Sequence, residues 1–486
     1  WIGNYRGGID FISHTQPLFN TITYKTEKYG HNCNKQVWGL WADNNRQIWL
    51  GGEGELGIYK EGKEIEIIPL NQCRLNKQTH ISVIHQDKHG DLWLGTHKHG
   101  VAIYHPDTKR ITCIGDDKDG SLDILCFYED TDGKIWIGTQ SGLYSAYNRE
   151  LTQEDKINRL LTNKGIRSIL RDKNGKLWIG AKGLFLFDDK GQLFQELTTE
   201  QSFPIRSVNY LMEDSRKRIW VGTNDGILVF RDASHLEDYS HYGTKEGLQN
   251  TNVRAIQEDH DGTIWLSTNA GISRLDEKTK TFYNYNHYDG VPMGDFMDGS
   301  TCISTDGILY FGSQGGACYF TPGEVNSIRK PAPVTITQFS IYDKQTESKD
   351  TEHPLPLTDA NIQLPYNQNT FKISFNVLDY AISSQVEFSY ILEGLENTWY
   401  NTQGEKQIIF RNIPPGHYTF KVKTRLRNQE WEKDEATLHI RITPPFWLSW
   451  YAKLIYALLI ILIIYGVSRF YKRKLDLESS LEVERK

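Results

Sequence analysis

Two arginines pose the first chemical question. Arg167 and Arg254 each stand eleven residues ahead of a tryptophan, Trp178 and Trp265. A guanidinium presents a flat fork of N–H donors, so two of them at one site would meet a carboxylate or an acidic sugar by bidentate bonding. A neighbouring aspartate would satisfy them equally well. His97-Lys98-His99 offers a pH-sensitive contact, half of a metal site or an exposed turn. Asp-x-x-Gly elements at residues 87–90, 130–133, 172–175 and 259–262 set acids in alternation, Asp130 with Asp132 and Asp259 with Asp261, as a calcium loop does. Such a loop ends on a bidentate acid at its twelfth position, and Ser141 holds that place counted from Asp130. Asp and Gly are also what a tight turn between strands requires, so these elements are read as turns and no metal is assigned.

Catalytic constellations are sparse. No Gly-x-Ser-x-Gly elbow, His-Glu-x-x-His pair or phosphate-cradling loop occurs, so triad, metal-hydrolase and phosphoryl-transfer chemistry lack their parts in this segment. A lyase using an unmarked His/Tyr pair stays open as an alternative. Cys33, Cys73, Cys113, Cys126, Cys302 and Cys318 are scattered, without the spacing of a zinc site, and no cofactor is expected. The balance of 55 basic against 61 acidic residues, a net charge of −6, gives no broad cationic surface for nucleic acid.

The elements that must position these residues repeat. An apolar strand, Asp-x-x-Gly, Leu/Ile-Trp-Ile/Leu-Gly-Thr and a Gly-led strand recur, with Trp at 1, 49, 93, 136, 178, 220 and 265 and Tyr310 in the eighth place. The period near 44 leaves room for four short strands, shown by residues 81–87, 92–95, 101–104 and 110–114. With 41 Gly and 12% aromatics, the chain is mainly β, and each unit has the size of a propeller blade that buries its faces only by stacking in a closed ring. Seven units run from Val37 to Phe320, which predicts a seven-bladed β-propeller over residues 31–325, with eight blades as the alternative. Trp1 stands inside the motif without its preceding strand, so residues 1–30 read as the remnant of an earlier blade or propeller and the chain as a piece of a longer protein.

In such a ring the turns between second and third strands share one face with the blade-to-blade connections, and here they differ in sequence. They contribute Tyr5, Arg6, Glu53, His97, Lys98, His99, Gln140, Lys182, Asp225, Asn269 and Gln314. With Arg167 and Arg254 near the start of the innermost strands, these are the candidate ligand-binding residues, suited to a hydroxyl-rich ligand.

Residues 124–147 (ILCFYEDTDGKIWIGTQSGLYSAY), 208–230 and 253–275 resemble the two-component-regulator propeller repeat, and residues 306–322 (DGILYFGSQGGACYFTP) resemble its closing repeat. Beyond Lys330-Pro331-Ala332-Pro333, strand-like runs at 334–341, 370–377, 387–392, 407–411, 416–424 and 436–442 predict a small sandwich over residues 331–443. Its Tyr390, Trp399, Tyr400, Tyr418 and Trp431, in YILEGLENTWY, PPGHYTFKVKTR and EWEK, resemble the triple-tyrosine domain, an immunoglobulin-like fold of the fibronectin kind, with the aromatics expected in the core.

Residues 446–471 follow as a membrane span. No charge lies between Leu454 and Ser468, Trp447, Trp450 and Tyr451 form an aromatic belt at one end, and Arg469, Lys472, Arg473 and Lys474 follow at the other. The positive-inside rule then puts residues 1–445 in the periplasm and the C-terminus in the cytoplasm of a single-pass inner-membrane protein, with residues 472–486 opening a signalling helix. This order resembles the sensor half of hybrid two-component systems. The resemblance implies a histidine kinase beyond Lys486 and ligands that are oligosaccharides from polysaccharide breakdown, and a single span that cannot pass a signal by bending within itself is expected to work as a homodimer. A one-component regulator with the same outer region, or a membrane-tethered propeller lyase, are the alternatives.

Overall fold

The computed structural model describes residues 2–4, 8–10, 17–23, 25–28, 31–34, 36–72, 75, 79–114, 122–147, 150–152, 161–188, 190–198, 205–325, 333–341, 351–353, 361–378, 386–402, 404–426 and 431–484. It comprises two units, residues 1–328 and 329–486.

The first unit is a ring of seven four-stranded antiparallel sheets. The second blade, Ile81–Gln86, Leu92–Thr96, Val101–His105 and Arg110–Ile114, is representative. The repeated motif has a local task at each of its conserved chemical types. The motif residues Trp49, Trp93, Trp136, Trp178, Trp220 and Trp265 are buried, and each indole Nε1 donates to the aspartate six residues earlier, at 3.2 Å from Trp49 to Asp43 and at 2.8 Å from Trp178 to Asp172. The other oxygen of Asp172 accepts the backbone N–H groups of Asn174 and Lys176, both at 2.9 Å. The turn carboxylates are therefore spent on the fold. In the seventh blade Ser304 and Tyr310 stand for Asp and Trp, and Ser304 Oγ accepts the Ile308 N–H at 3.1 Å.

The motif glycine faces the next blade. A Cβ on Gly138 would lie 2.6 Å from the Ile166 carbonyl, and one on Gly312 2.4 Å from that of Val37, so the adjoining inner strand packs directly on backbone. The following hydroxyl closes the second-to-third turn, as Thr139 Oγ1 does by donating to the Gly142 carbonyl at 2.8 Å. Apolar side chains of neighbouring blades interleave between the sheets. Trp49, Leu56 and Ile58, for example, meet Ile81, Ile84, Leu94 and Tyr104.

Ring closure departs from the sequence reading. Residues 1–30 were expected to stand apart as a remnant, yet Asn20–Ile22 is the outermost strand of the seventh blade. It pairs antiparallel with Gly316–Phe320 through Asn20 with Tyr319, Thr21 with Cys318 and Ile22 with Ala317. Phe19, 1% exposed, packs among Trp265, Phe296 and Phe320. The chain thus fastens its last blade with its early residues, which cover the Gly316–Phe320 strand and complete the fourth place of the blade. The Val37 N–H donates to the Ser313 carbonyl at 3.0 Å and joins the last blade to the first. Trp1, Tyr5 and Arg6 lie outside the described residues.

The second unit begins with a two-sheet sandwich. One sheet orders Thr351–His353, Val334–Ile341, Phe371–Val377 and Gln407–Phe410; the other orders Asn361–Leu364, Glu435–Ile442, Gly416–Leu426, Val386–Glu393 and Tyr400–Asn401. Phe371, Ile373, Phe375, Phe388, Phe420 and Val422 fill the space between them by strict alternation. Tyr418 is buried, and its hydroxyl donates to the Pro414 carbonyl at 2.8 Å, a tyrosine corner. The five expected core aromatics divide. Tyr418 is core and Tyr390 packs against it, whereas Tyr400 is 43% exposed and Trp399 and Trp431 are only partly buried. Trp399 and Trp431 flank the Lys423 ammonium at 3.9 and 5.8 Å, since these rings sit on the outer face beside a basic strand.

After Ile442 the chain passes Pro444-Pro445 into a single helix, Trp450–Glu484, whose residues 450–479 are long and apolar enough to cross a membrane. Its apolar side chains are exposed over their whole circumference, the pattern of a helix whose solvent is lipid.

Candidate functional site

The innermost strand of each blade borders the ring's axis. Near its start most of these strands carry a bulge. Ile81 pairs with Thr96 but Val83 with Gly95, and the same slip recurs at Ile124/Cys126, Val208/Tyr210 and Val253/Ala255. The extra residue escapes the ladder, and its side chain is released from the strand's alternation. It is Ser82, Leu125, Asn209 and Arg254 in those four blades, and Trp38 and Arg167 hold the equivalent place in the first and fourth. All six stand eleven residues before the motif Trp.

The seventh blade enlarges the bulge. Phe296 pairs with Ser313 and the next pair is Thr301 with Phe311, so residues 297–300 leave the ladder, with Gly299 at φ +66° making the bend. Asp298 rides on it. Its Oδ2 accepts Arg167 Nη1 at 2.6 Å and its Oδ1 accepts Arg254 Nη1 at 2.7 Å, one carboxylate between two guanidiniums from the fourth and sixth blades. Arg254 Nε also donates to Asn269 Oδ1 at 2.7 Å. Asn209 Nδ2 donates to Asn224 Oδ1 at 2.8 Å and to the Val253 carbonyl at 2.8 Å. The sequence left two partners open for the arginines, and the structure supplies the aspartate.

A cavity of about 450 Å³ runs along the axis, bordered by Trp38, Trp41, His85, Tyr128, Arg167 and Asp298. Deeper in it, Trp41 meets His85 edge to face at 5.1 Å, and His85 Nε2 lies 3.3 Å from Glu129 Oε2. Burial outweighs the pull of Glu129 and holds the His85 imidazole below its ordinary value, so the ring is neutral at pH 7.

The other candidates gather in part. His97 Nδ1 lies 3.0 Å from Asp123 Oδ1, the Lys98 N–H donates to that oxygen at 2.7 Å, and the Gln140 N–H donates to the Asp123 carbonyl at 3.0 Å. Glu53 approaches His80 at 3.9 Å, and the His80 ring contacts His97 on one side and Trp38 on the other. Glu53, His97, Lys98 and Gln140 therefore join the first three blades around His80 and Asp123. His99 is half-buried in its turn, and Lys182, Asp225 and Gln314 are exposed on separate turns. Residues that the sequence reading passed over are Asp298, Trp38, His80, Asn209 and the deeper Trp41 and His85. The eleven-residue offset that marked the two arginines also marks Trp38 and Asn209; Asp298 misses it by one because of the enlarged bulge.

Beyond the sandwich, Trp447 packs on Tyr366 at 5.2 Å and Trp450 on Tyr451 at 3.8 Å, while Arg469, Lys472, Arg473 and Lys474 are exposed. The Thr443 N–H donates to the Leu364 carbonyl at 2.9 Å. The last strand of the sandwich is thus fastened to it up to the helix entry.

A closed propeller with a polar axial mouth, a tyrosine-corner sandwich and one helix apolar enough to cross a membrane follow one another along the chain. Residues 120–141, 160–183, 202–225 and 247–270 match the two component regulator propeller family, and residues 379–443 match the Y_Y_Y domain family. The chain is similar to the extracellular domain of the hybrid two component system BT3049 from B. thetaiotaomicron, with 36% identity, a TM-score of 0.81 and coverage of 90% of this chain and 59% of that one. It is also 27% identical over 242 residues to Histidine kinase P4 of Formosa agariphila, covering 49% of this chain and 18% of the relative. The chain is built of two component regulator propeller repeats and a Y_Y_Y domain, as an extracellular sensor region of a hybrid two-component system is. It spans about a fifth of the curated kinase and three fifths of the solved chain.

Proposed function

We propose that this chain is the ligand-sensing and transmembrane part of a hybrid two-component sensor histidine kinase that recognises oligosaccharides released from polysaccharides and controls transcription of the genes for their use. The observation that carries this reading is the direct run from propeller through Y_Y_Y sandwich into one apolar helix followed by Arg469, Lys472, Arg473 and Lys474. The basic cluster sets residues 1–445 in the periplasm and residues 472–486 in the cytoplasm by the positive-inside rule. One span cannot relay a signal by bending within itself, so two copies act together and their helices change spacing or rotation. The kinase lies beyond Lys486. The turn aspartates are engaged by Trp indoles, and the axial mouth supplies amides, charges and an aromatic plane suited to hydroxyl-rich ligands.

Calorimetric titration of the chain with a panel of oligosaccharides, followed by chromatography of the recovered sugar, tests this. The expected result is saturable binding with the sugar recovered intact. A shortened sugar would replace the receptor by a propeller lyase.

A further inference from the structure

The mouth of the axial cavity has a definite chemistry. Its six bulge-position residues are contributed by successive blades at one level of the ring, and the seventh blade sends Asp298 to meet two of them. Among the described residues, each Asp298 oxygen accepts one side-chain hydrogen bond, and Arg167 commits one of its five N–H donors. A carboxylate has about four lone-pair sites. The trio therefore holds acceptors and donors side by side in fixed positions, with open capacity of both kinds. Trp38, 36% exposed, borders the same cavity and presents a flat apolar face. A plane in the same cavity as paired donors and acceptors fits a pyranose or furanose ring, which has apolar C–H faces and a rim of hydroxyls.

Charge narrows the class. Arg167, Arg254 and Lys98 at the mouth are balanced by Asp298, Asp123 and Glu53, and Glu129 and Glu213 stand deeper. A uronate or sulfate brought to the arginines would face Asp298 within a few ångströms and compete with it for their donors. Hydroxyls take the open donors and acceptors without that repulsion.

We infer that the axial cavity is the sensor's binding site and that it takes the end of a neutral oligosaccharide, one ring stacked on Trp38 with vicinal hydroxyls on Asp298 and Arg167. This rests on the receptor reading above. The volume of about 450 Å³ lies within the range of small-ligand pockets, about 300–1,000 Å³. The neutral preference is assigned to Asp298, whose carboxylate accepts hydroxyl protons and occupies the arginine donors that an anion would otherwise take.

The test titrates the whole chain in detergent with gluco-, manno-, galacto-, xylo- and arabino-oligosaccharides, and in parallel with oligogalacturonates. Wild type, Trp38→Ala and Asp298→Asn are compared, with thermal unfolding of each as the check that it is folded. A neutral oligosaccharide is expected to bind, and each substitution to weaken it about tenfold or more. Binding of a neutral sugar that survives both substitutions would overturn the cavity site and leave the receptor reading standing. Preference for the oligogalacturonates would overturn the neutral class. Failure of every sugar in both sets would overturn the site together with the oligosaccharide reading. Should Asp298→Asn fail to fold, Trp38→Ala carries the same decision alone.

Discussion

A chain shortened to begin at Lys25 should lose the cooperative unfolding of its propeller. The missing strand Asn20–Ile22 is short, but it is the fourth strand of the seventh blade and covers Gly316–Phe320, whose Ala317, Cys318 and Phe320 are wholly or almost wholly buried. Burying Phe19 and Ile22 is worth about 1.5–3 kcal/mol each, and the strand's hydrogen bonds add about 1 kcal/mol apiece. A loss on the order of 5 kcal/mol approaches the whole margin of a typical domain, about 5–15 kcal/mol. The exposed edge would also recruit other chains. Calorimetric melting should show a transition lowered by on the order of 10 °C, or broadened and followed by aggregation, and Phe19→Ala should reproduce about 3–5 kcal/mol of it. A shortened chain melting with the parent would mean that the ring closes without this strand.

The second large effect is expected at Asp130. Its Oδ2 accepts the Trp136 indole at 3.2 Å, its Oδ1 the Thr131 N–H at 2.9 Å, and Arg171 of the next blade donates to both oxygens at 2.7–3.0 Å. Asp130→Ala would leave a buried indole N–H and a half-buried guanidinium without their acceptor, at a cost of about 2–4 kcal/mol. Burial alone would raise this carboxyl, but the bonds from Arg171, Trp136 and Thr131 outweigh it and hold it below the usual carboxylate value. The sign follows from the depressed value. The contribution is complete above the unfolded-state value near pH 4 and fades as pH falls through the lower folded-state value. Urea unfolding of the two proteins should therefore differ most at pH 6–7 and converge as the pH falls below 4. A difference that holds constant down to pH 2 would show that the carboxylate's charge plays no part.

These two sites also show what the sequence could and could not carry. The turn aspartates, the motif Trp and the motif Gly were legible because each does the same local job in successive blades, so the spacing survives in the chain. Asn20–Ile22 was not legible, since three residues without a motif pair with a strand at the far end of the propeller. The short sandwich strands Thr351–His353, Asn361–Leu364 and Tyr400–Asn401 were missed for a similar reason: pairing partners, not internal pattern, make them strands. Arg167 and Arg254 stood out by their offset from Trp, but the residue between them did not. Asp298 reaches the axis only because residues 297–300 leave the ladder, and a bulge is a property of two strands together. Trp399 and Trp431 were expected inside because aromatic side chains usually are, and the outer face beside Lys423 holds them instead.

The central claim is that binding outside changes the relation of two helices inside the membrane. Lys474 lies just past the apolar stretch and is exposed. With Lys474→Cys in membranes, the rate at which two chains crosslink through that position is to be measured before and after saturation with the oligosaccharide selected by titration, against the parent chain as blank. The account predicts efficient crosslinking whose rate shifts severalfold on binding; the same rate with and without saturating sugar would contradict it.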